Sequence, residues 1–290
     1  MFTSRKTHLF IALVLPVLLV AIFLLFKTSE FAPFSLLGLL GAIFANATGA
    51  GGGVVFIPAF QQLGISAEQS VATSFAIQCF GMTAGSIAWY KHSRRCEFPD
   101  WRLLPKLVGI CLPFSIVGIW LVYGVNSATP GGLSSLFAYF SIVIGFGLLL
   151  TTLFTKPVSE DVCHSLVKSH ISKVDIIALI MISLFGGIVT AWLSVGVGEF
   201  IAFYLILRGY RVTMAIATAV IISAASVWSG VGYHLAQNTI HFDILMFAGP
   251  AAVLGAIIAR KLATRLPVVQ LKMFFACWVL FAGLFELFSA

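Results

Sequence analysis

Long apolar stretches without charged residues dominate the chain and predict membrane-spanning α-helices. Four of them contain no Lys, Arg, Asp or Glu: residues 8–26, 70–90, 133–154 and 212–235. Each approaches or exceeds the ~20 residues that a helix needs to cross a bilayer. Strands of a membrane barrel would instead alternate apolar and polar positions. The pattern therefore predicts an all-α polytopic membrane protein.

The second half of the chain repeats the first at a constant offset. Gly198 follows Gly53 by 145 positions, which is half of the 290 residues. The same offset relates Gly41 to Gly186, Gly64 to Gly209, Ala72-Thr73 to Ala217-Thr218, Gly85 to Gly230 and Pro105 to Pro250. The shared core is a glycine-broken apolar segment, at residues 45–63 and again at 190–207. Broken apolar segments in corresponding positions of two halves are typical of a transporter's binding site.

Composition and charge agree with a membrane protein whose basic residues set its orientation. Of all residues 60% are hydrophobic and only 9% are charged. Sixteen of the seventeen Lys and Arg fall in five clusters between apolar runs, and only Lys27 lies outside them. Because basic residues concentrate in cytoplasmic loops, the clusters predict a cytoplasmic N-terminus. The net charge of +7 is thereby explained without a nucleic-acid partner.

Placing every cluster on the cytoplasmic side requires residues 34–63 to enter and leave the membrane at its outer face. The two arms, 34–48 and 54–63, make roughly 22 and 15 Å of helix, too short to cross a ~30 Å core. The first repeat is thus predicted as a glycine-broken re-entrant hairpin followed by three spans. The second hairpin, residues 175–207, opens inward, so the two repeats have inverted topology and their tips meet near the midplane.

These predictions divide the chain into four parts. They are an extra N-terminal transmembrane helix and loop (1–33), the first repeat (34–154), a cytoplasmic linker (155–173) and the second repeat (174–290). A signal peptide is the alternative for the N-terminus, but no small-residue cleavage site follows the apolar run. The five cysteines show no paired spacing, so we expect reduced structural thiols, no metal and no cofactor.

The glycine-rich segment and the residues after it resemble a known family. Gly-Ala-Gly-Gly-Gly at 49–53, Pro58, Gly64 and Val-Ala-Thr-Ser at 71–74 are similar to the sulfite exporter TauE/SafE family of membrane proteins. The resemblance begins near Leu36 and leaves the N-terminal helix outside. It implies transport, typically export, of small anions such as sulfur oxyanions or organosulfonates. The cellular location it implies is a bacterial cytoplasmic membrane or a plastid-related one.

Polar groups around the two glycine runs are candidates for anion binding without a buried Lys or Arg. A half-helix begins after each run, and its free N–H groups attract anions. Hydroxyl and amide side chains can donate to sulfonate or carboxylate oxygens. The candidate residues are Asn46, Thr48, Gly51, Gly52, Gly53, Thr73, Ser74, Gln78, Ser194, Gly196, Gly198 and Thr218, with Ser223 at a comparable place. The alternatives are tight helix packing for the glycines and back-bonding to helix carbonyls for Ser and Thr.

Glu199 is the one acidic residue deep in an apolar segment, and it stands where the first repeat has Val54. Three hypotheses remain open for it: a proton carrier that couples transport, a ligand for a coupling cation, or an N-terminal cap of its own half-helix. Arg208 and Arg211 lie just beyond that half-helix. They either attract anions to the cytoplasmic mouth or only anchor the loop by the positive-inside rule.

The function that these patterns favour is a secondary transporter for a small anion, with proton coupling through Glu199 as a hypothesis. An ungated anion channel is one alternative. A membrane-embedded enzyme is another, but it needs a nucleophile, base or metal cluster that the sequence does not show. The expected partners are the anion and the lipid bilayer, and a homo-oligomer is left open.

Overall fold

The computed structural model describes residues 30–96, 98–125, 132–154, 168, 170–265 and 268–289, and within them it is all-helical. A short 3₁₀ helix, Pro99–Leu103, precedes the fourth of ten α-helices in this part of the chain. The α-helices are α1 Phe34–Thr48, α2 Gly53–Gln62, α3 Ala67–Ser93, α4 Leu104–Tyr123, α5 Leu133–Phe154, α6 Lys173–Leu193, α7 Val197–Leu207, α8 Val212–Ala236, α9 Phe242–Ala263 and α10 Val268–Ser289. The helix predicted over residues 8–26 and most of the linker 155–173 lie outside the described residues.

Five segments of the described chain are long and apolar enough to cross a membrane, which confirms the predicted class. They are α3, α6, α8, α9 and the 3₁₀ helix continued into α4. α1 and α7 are shorter, with 15 and 11 residues. α6 is longer than its counterpart α1 and has 21 residues, since it begins at a capping box formed by Ser172 and Asp175. Length therefore does not confine α6 to half of the bilayer, and the membrane orientation of the repeats stays a prediction.

The repeat is visible in the ends of the helices. α1 and α6 end 145 residues apart, α2 and α7 also end 145 apart, and α3 and α8 begin 145 apart. The offset falls to 135 at the starts of α5 and α10, because shorter connections join the later helices of the second half. The repeat is thus strictest around the two glycine runs.

Helices of the first half pack against helices of the second half. α1 packs against α9 and α6 against α4, while α3 packs against α8 and α5 against α10. Glycines allow the close contacts: a Cβ on Gly38 would overlap the Ala248 carbonyl, and one on Gly118 would overlap the Leu184 carbonyl. α3 and α8 are the most buried of the five long apolar segments. One helix from each repeat therefore forms the centre of the bundle.

A buried carboxylate joins the start of α6 to the end of α7. Asp175 is fully buried and accepts hydrogen bonds from six groups. The donors are Lys168 Nζ, Ser172 N, Ser172 Oγ, Tyr204 OH, Arg208 Nε and Tyr210 OH. Arg211 pairs with the buried Asp100, with 2.7 Å between Nε and Oδ2. Both arginines that the sequence suggested as anion attractors therefore already neutralise a carboxylate of the protein.

Asp175→Asn is expected to lower the thermal stability of the purified protein. The amide keeps one acceptor oxygen but leaves Lys168 and Arg208 without a counter-charge. We expect a loss of roughly 2 kcal/mol, less than for a fully buried pair because the Arg208 side chain is 42% exposed. Thermal unfolding in detergent measures the effect. Asp243→Asn, at an exposed position in the first turn of α9, is the matched control, and an equal loss in that variant would remove the special role of Asp175.

Candidate functional site

Each glycine run of the sequence forms a short break between two helices. The first break, residues 49–52, separates α1 from α2, and the second break, residues 194–196, separates α6 from α7. Each begins with a residue in the left-handed region, Gly49 at φ +84° and Ser194 at φ +58°. These two residues are 145 positions apart, so both repeats make the same turn. For Ser194, which has a side chain, this conformation costs on the order of 1 kcal/mol.

One carboxylate connects the two breaks. The Gly51 N–H donates to Glu199 Oε1 and the Gly196 N–H donates to Glu199 Oε2, each at 2.7 Å. Gly51 and Gly196 occupy equivalent sequence positions, 145 residues apart, although only Gly196 has a positive φ. Glu199 is only 2% exposed. The carboxylate therefore lies where equivalent N–H donors of the two repeats converge.

An amide side chain makes a second connection. The Gly52 N–H donates to Gln78 Oε1 at 2.8 Å. Gln78 Nε2 donates to the carbonyl and the hydroxyl of Ser194, at 3.0 and 2.7 Å, and lies 3.1 Å from Ser74 Oγ. The Ser194 hydroxyl in turn donates to Ser74 Oγ at 2.9 Å. Gln78, Ser74 and Ser194 are all buried, so these bonds close the first break against the second.

Two glycines in the first turns of α2 and α7 are sites of close contact between the repeats. A Cβ on Gly53 would lie 2.6 Å from Val195 Cγ1 and 2.8 Å from the Ser194 carbonyl oxygen. A Cβ on Gly198 would lie 2.6 Å from the Gly49 carbonyl oxygen. Each of these glycines therefore lies against the break of the other repeat, and a side chain there would push the two repeats apart.

Ser223 is the counterpart of Gln78 in the second repeat, 145 positions later. It is buried on α8, and its hydroxyl has no hydrogen-bond partner among the described residues. A Cβ on Gly198 would come within 2.5 Å of Ser223 Oγ. The second break therefore has an unused hydroxyl beside it, at the place where the first break has a bound amide.

The structure brings together seven of the predicted site residues and places others apart. The connected set is Gly51, Gly52, Ser74, Gln78, Ser194, Gly196 and Glu199. Thr218 Oγ1 donates to the carbonyl four residues earlier in its own helix at 2.8 Å. Thr48 Oγ1 donates in the same way at 2.8 Å and also accepts from the Ala50 N–H of the first break at 3.3 Å. Thr73 Oγ1 accepts from the His241 N–H at 2.9 Å and so fixes the start of α9.

Asn46 lies apart from the connected set, against Gly81 of α3, and its amide is only partly satisfied. Its Nδ2 donates to the Ala42 carbonyl at 2.9 Å, the back-bond that we expected mainly of Ser and Thr. Its Oδ1 is buried without a partner among the described residues. Thr190 was missed by the sequence analysis, although its Oγ1 accepts from the Val197 N–H at 2.9 Å. No local motif indicates this bond, which appears only when the chain turns at the second break.

Both oxygens of the Glu199 carboxyl group accept from backbone N–H groups that precede broken helices. Hydrogen-bond donors and helix dipoles at such positions favour a negative charge. Glu199 also sits in the first turn of α7, so it caps its own half-helix, as one of the three hypotheses held. Capping does not explain the hydrogen bond from the Gly51 N–H, because Gly51 belongs to the other repeat. Within the described residues, no three His, Cys, Asp or Glu are placed to share a metal ion.

Paired broken helices within a bundle of apolar spanning helices define the class of polytopic membrane transporters. The family model named "Sulfite exporter TauE/SafE" matches residues 34–285, from the first residue of α1 into α10. The chain therefore belongs to the sulfite exporter TauE/SafE family, a family of membrane transporters for sulfite and related sulfur anions. This confirms the resemblance, and residues 1–33 lie outside the match as expected. A search of curated proteins and a search of solved structures each found no match.

Proposed function

We propose that this protein is a secondary carrier that moves a small sulfur oxyanion or organosulfonate across the bacterial cytoplasmic membrane through the two breaks. The observation that supports this most is the Glu199 carboxylate on Gly51 and Gly196. A site that holds a carboxylate between two backbone N–H groups has the chemistry to hold a sulfite or sulfonate group, whose oxygens accept the same bonds.

The substrate replaces the internal carboxylate. A substrate anion that binds to the N–H groups of Gly51 and Gly196 requires Glu199 to leave or to lose its charge, because two anions at one pair of donors repel each other. The unpaired Ser223 hydroxyl then supplies a donor at the second break. Glu199 therefore acts as a tethered competitor that keeps the empty site closed.

Protonation of Glu199 is the step that links the substrate to a proton. A protonated carboxyl carries one O–H donor, so it no longer accepts from both N–H groups as an anion. A proton and an anion then enter the site together, and their release on the other side restores the bridge. The coupling depends on one carboxyl group that contacts both repeats. In carriers of this architecture, one repeat moves against the other.

Alternating access follows from separating the breaks. Glu199, Gln78 and Ser194 are all buried and join the two repeats, so the described conformation is closed at the site. Movement of one repeat against the other breaks the contacts made by Glu199 and Gln78 and opens a path to one side. A permanently open channel does not fit a site that is closed by its own side chains.

Flux in proteoliposomes tests the proposal. We expect the purified protein to move labelled sulfite or methanesulfonate faster when a pH gradient is imposed, and faster than protein-free vesicles do. A membrane-embedded enzyme would consume sulfite without moving it, and absence of flux of every tested sulfur anion would contradict the proposal.

Gln78→Leu is expected to reduce this flux by about tenfold or more. Leucine has a similar volume but leaves the Gly52 N–H and the Ser194 carbonyl unpaired in a buried place, which costs roughly 1–3 kcal/mol for each group. The closed state is then destabilised relative to the open ones. Initial rates of sulfite efflux measure the effect. Gln237→Leu, at an exposed position after α8, is the control, and equal rates in the two variants would show that the Gln78 contact has no part in the cycle.

A further inference from the structure

A cavity with basic side chains in its lining lies away from the breaks, between the ends of α3 and α9. Its volume is about 470 Å³. The lining residues are Ala84, Ile87, Ala88, Lys91, His92, Arg95, Ile257 and Arg260. Its basic side chains come from the last turn of α3, the residues just after it, and the last turn of α9. The proposed transport site does not include any of these residues.

The cavity has a basic rim and an apolar wall, and its lining contains no carboxylate. Lys91, Arg95 and Arg260 form no salt bridge with any residue of the described chain. This contrasts with Arg208 and Arg211, whose charges are neutralised by Asp175 and Asp100. Three cationic groups from two helices therefore converge without a counter-charge from that part of the protein.

The apolar wall lies about one turn from the basic rim, toward the middle of each helix. Ile87 and Ile257 precede the basic residues on their helices, and each is about half exposed, at 51% and 45%. His92 closes the inner side, where its ring contacts the rings of Trp89 and Trp101. A soluble anion gains nothing from the exposed isoleucines, whereas a phospholipid gains contacts for both its headgroup and its acyl chain.

We propose that this cavity binds the phosphate headgroup of an anionic membrane lipid, with an acyl chain along Ile87 and Ile257. Basic residues at the cytoplasmic ends of membrane helices attract anionic lipids, and each Lys or Arg near the surface strengthens the attraction. The lipid joins α3, a central helix of the first repeat, to α9, a helix of the second. It therefore holds the two repeats together at the face where the basic clusters lie.

Native mass spectrometry of the full-length protein in detergent tests this binding. The probe is phosphatidylglycerol, compared with phosphatidylcholine of the same acyl chains. We expect phosphatidylglycerol to bind preferentially, and the double variant Lys91→Gln/Arg260→Gln to bind it about tenfold more weakly or worse. Arg102→Gln/Lys106→Gln removes two exposed charges near the start of α4 and is expected to bind as the parent does. An equal loss in both double variants would reduce the effect to net charge and overturn the proposal.

A second variant tests the lipid without a change in charge. Ala88→Phe fills the floor of the cavity, and we expect it to weaken phosphatidylglycerol binding while all basic residues remain. Ala88→Phe also tests the proposal if the double variant does not fold, which its elution from a size-exclusion column would show. Competition with inorganic phosphate and with sulfite distinguishes the sources of the anion. If either salt displaces the lipid at low millimolar concentration and binds equally well to Ala88→Phe, the cavity is a site for soluble anions and the proposal fails.

Discussion

Gly198→Ala is expected to reduce sulfite flux by at least about tenfold. The added Cβ would lie 2.6 Å from the Gly49 carbonyl oxygen and 2.5 Å from Ser223 Oγ, closer than real Cβ contacts occur. The carbonyl belongs to the backbone of the opposite break and cannot move without moving that break. Overpacking of this kind costs roughly 1–3 kcal/mol. We expect the variant to fold, because alanine by itself favours the helix in which it lies.

The matched control is Gly232→Ala in α8. This glycine is exposed, and a Cβ there has no atom within 4 Å. We expect parental flux from this variant. If Gly198→Ala transports at the parental rate while remaining folded in the vesicles, the breaks separate or tolerate a gap during the cycle. The close contact between them would then be incidental to transport.

Glu199→Gln is expected to abolish accumulation driven by a pH gradient while preserving exchange of anion for anion. Glutamine imitates the protonated carboxyl, so the substrate no longer competes with a charge and the proton has no group to bind.

The substrate for this experiment is methanesulfonate, because a sulfonate keeps its charge across the working pH range. Any pH dependence then belongs to the protein rather than to the substrate. Glu68→Gln, at an exposed position in the first turn of α3, controls for removal of a carboxylate elsewhere. Gradient-driven flux that survives in Glu199→Gln would reduce Glu199 to a cap of α7, and loss of both exchange and gradient-driven flux would indicate a role in folding or binding rather than coupling.

Much of the fold follows from patterns along the chain. The first hairpin was predicted with arms at 34–48 and 54–63, and the helices lie at Phe34–Thr48 and Gly53–Gln62. The offset of 145 residues locates the second break because glycine runs mark places where a buried helix must stop. The second hairpin was predicted over residues 175–207, and its helices lie at Lys173–Leu193 and Val197–Leu207. The capping box at Ser172, which starts α6, was not predicted.

The composition of the site was predictable in part, but its connections were not. Glu199 was recognised from its charge in an apolar segment, and Gly51 from its place in a glycine run. The bond between them joins residues 148 positions apart and depends on how the two breaks face each other. Periodicity carries no information about that relation. The same limit explains why Thr218 was a candidate, although it bonds within its own helix.

Gln78 and Ser223 occupy equivalent positions of the two repeats but differ in their hydrogen bonding. Equivalent positions carry an amide that is fully engaged and a hydroxyl that is unpaired among the described residues. Val54 and Glu199 are likewise equivalent, so only the second repeat supplies the carboxylate. One carboxyl group therefore contacts both breaks.

The most direct test of the proposed mechanism is a structure determined with selenite, the selenium analogue of sulfite, located by its anomalous scattering. We predict a selenium peak within hydrogen-bond reach of the Gly51 and Gly196 N–H groups, with the Glu199 side chain withdrawn from at least one of them. A peak only in the cavity at Lys91 and Arg260, or one near the breaks with the Glu199 bridge intact, would contradict the claim that the substrate replaces the carboxylate.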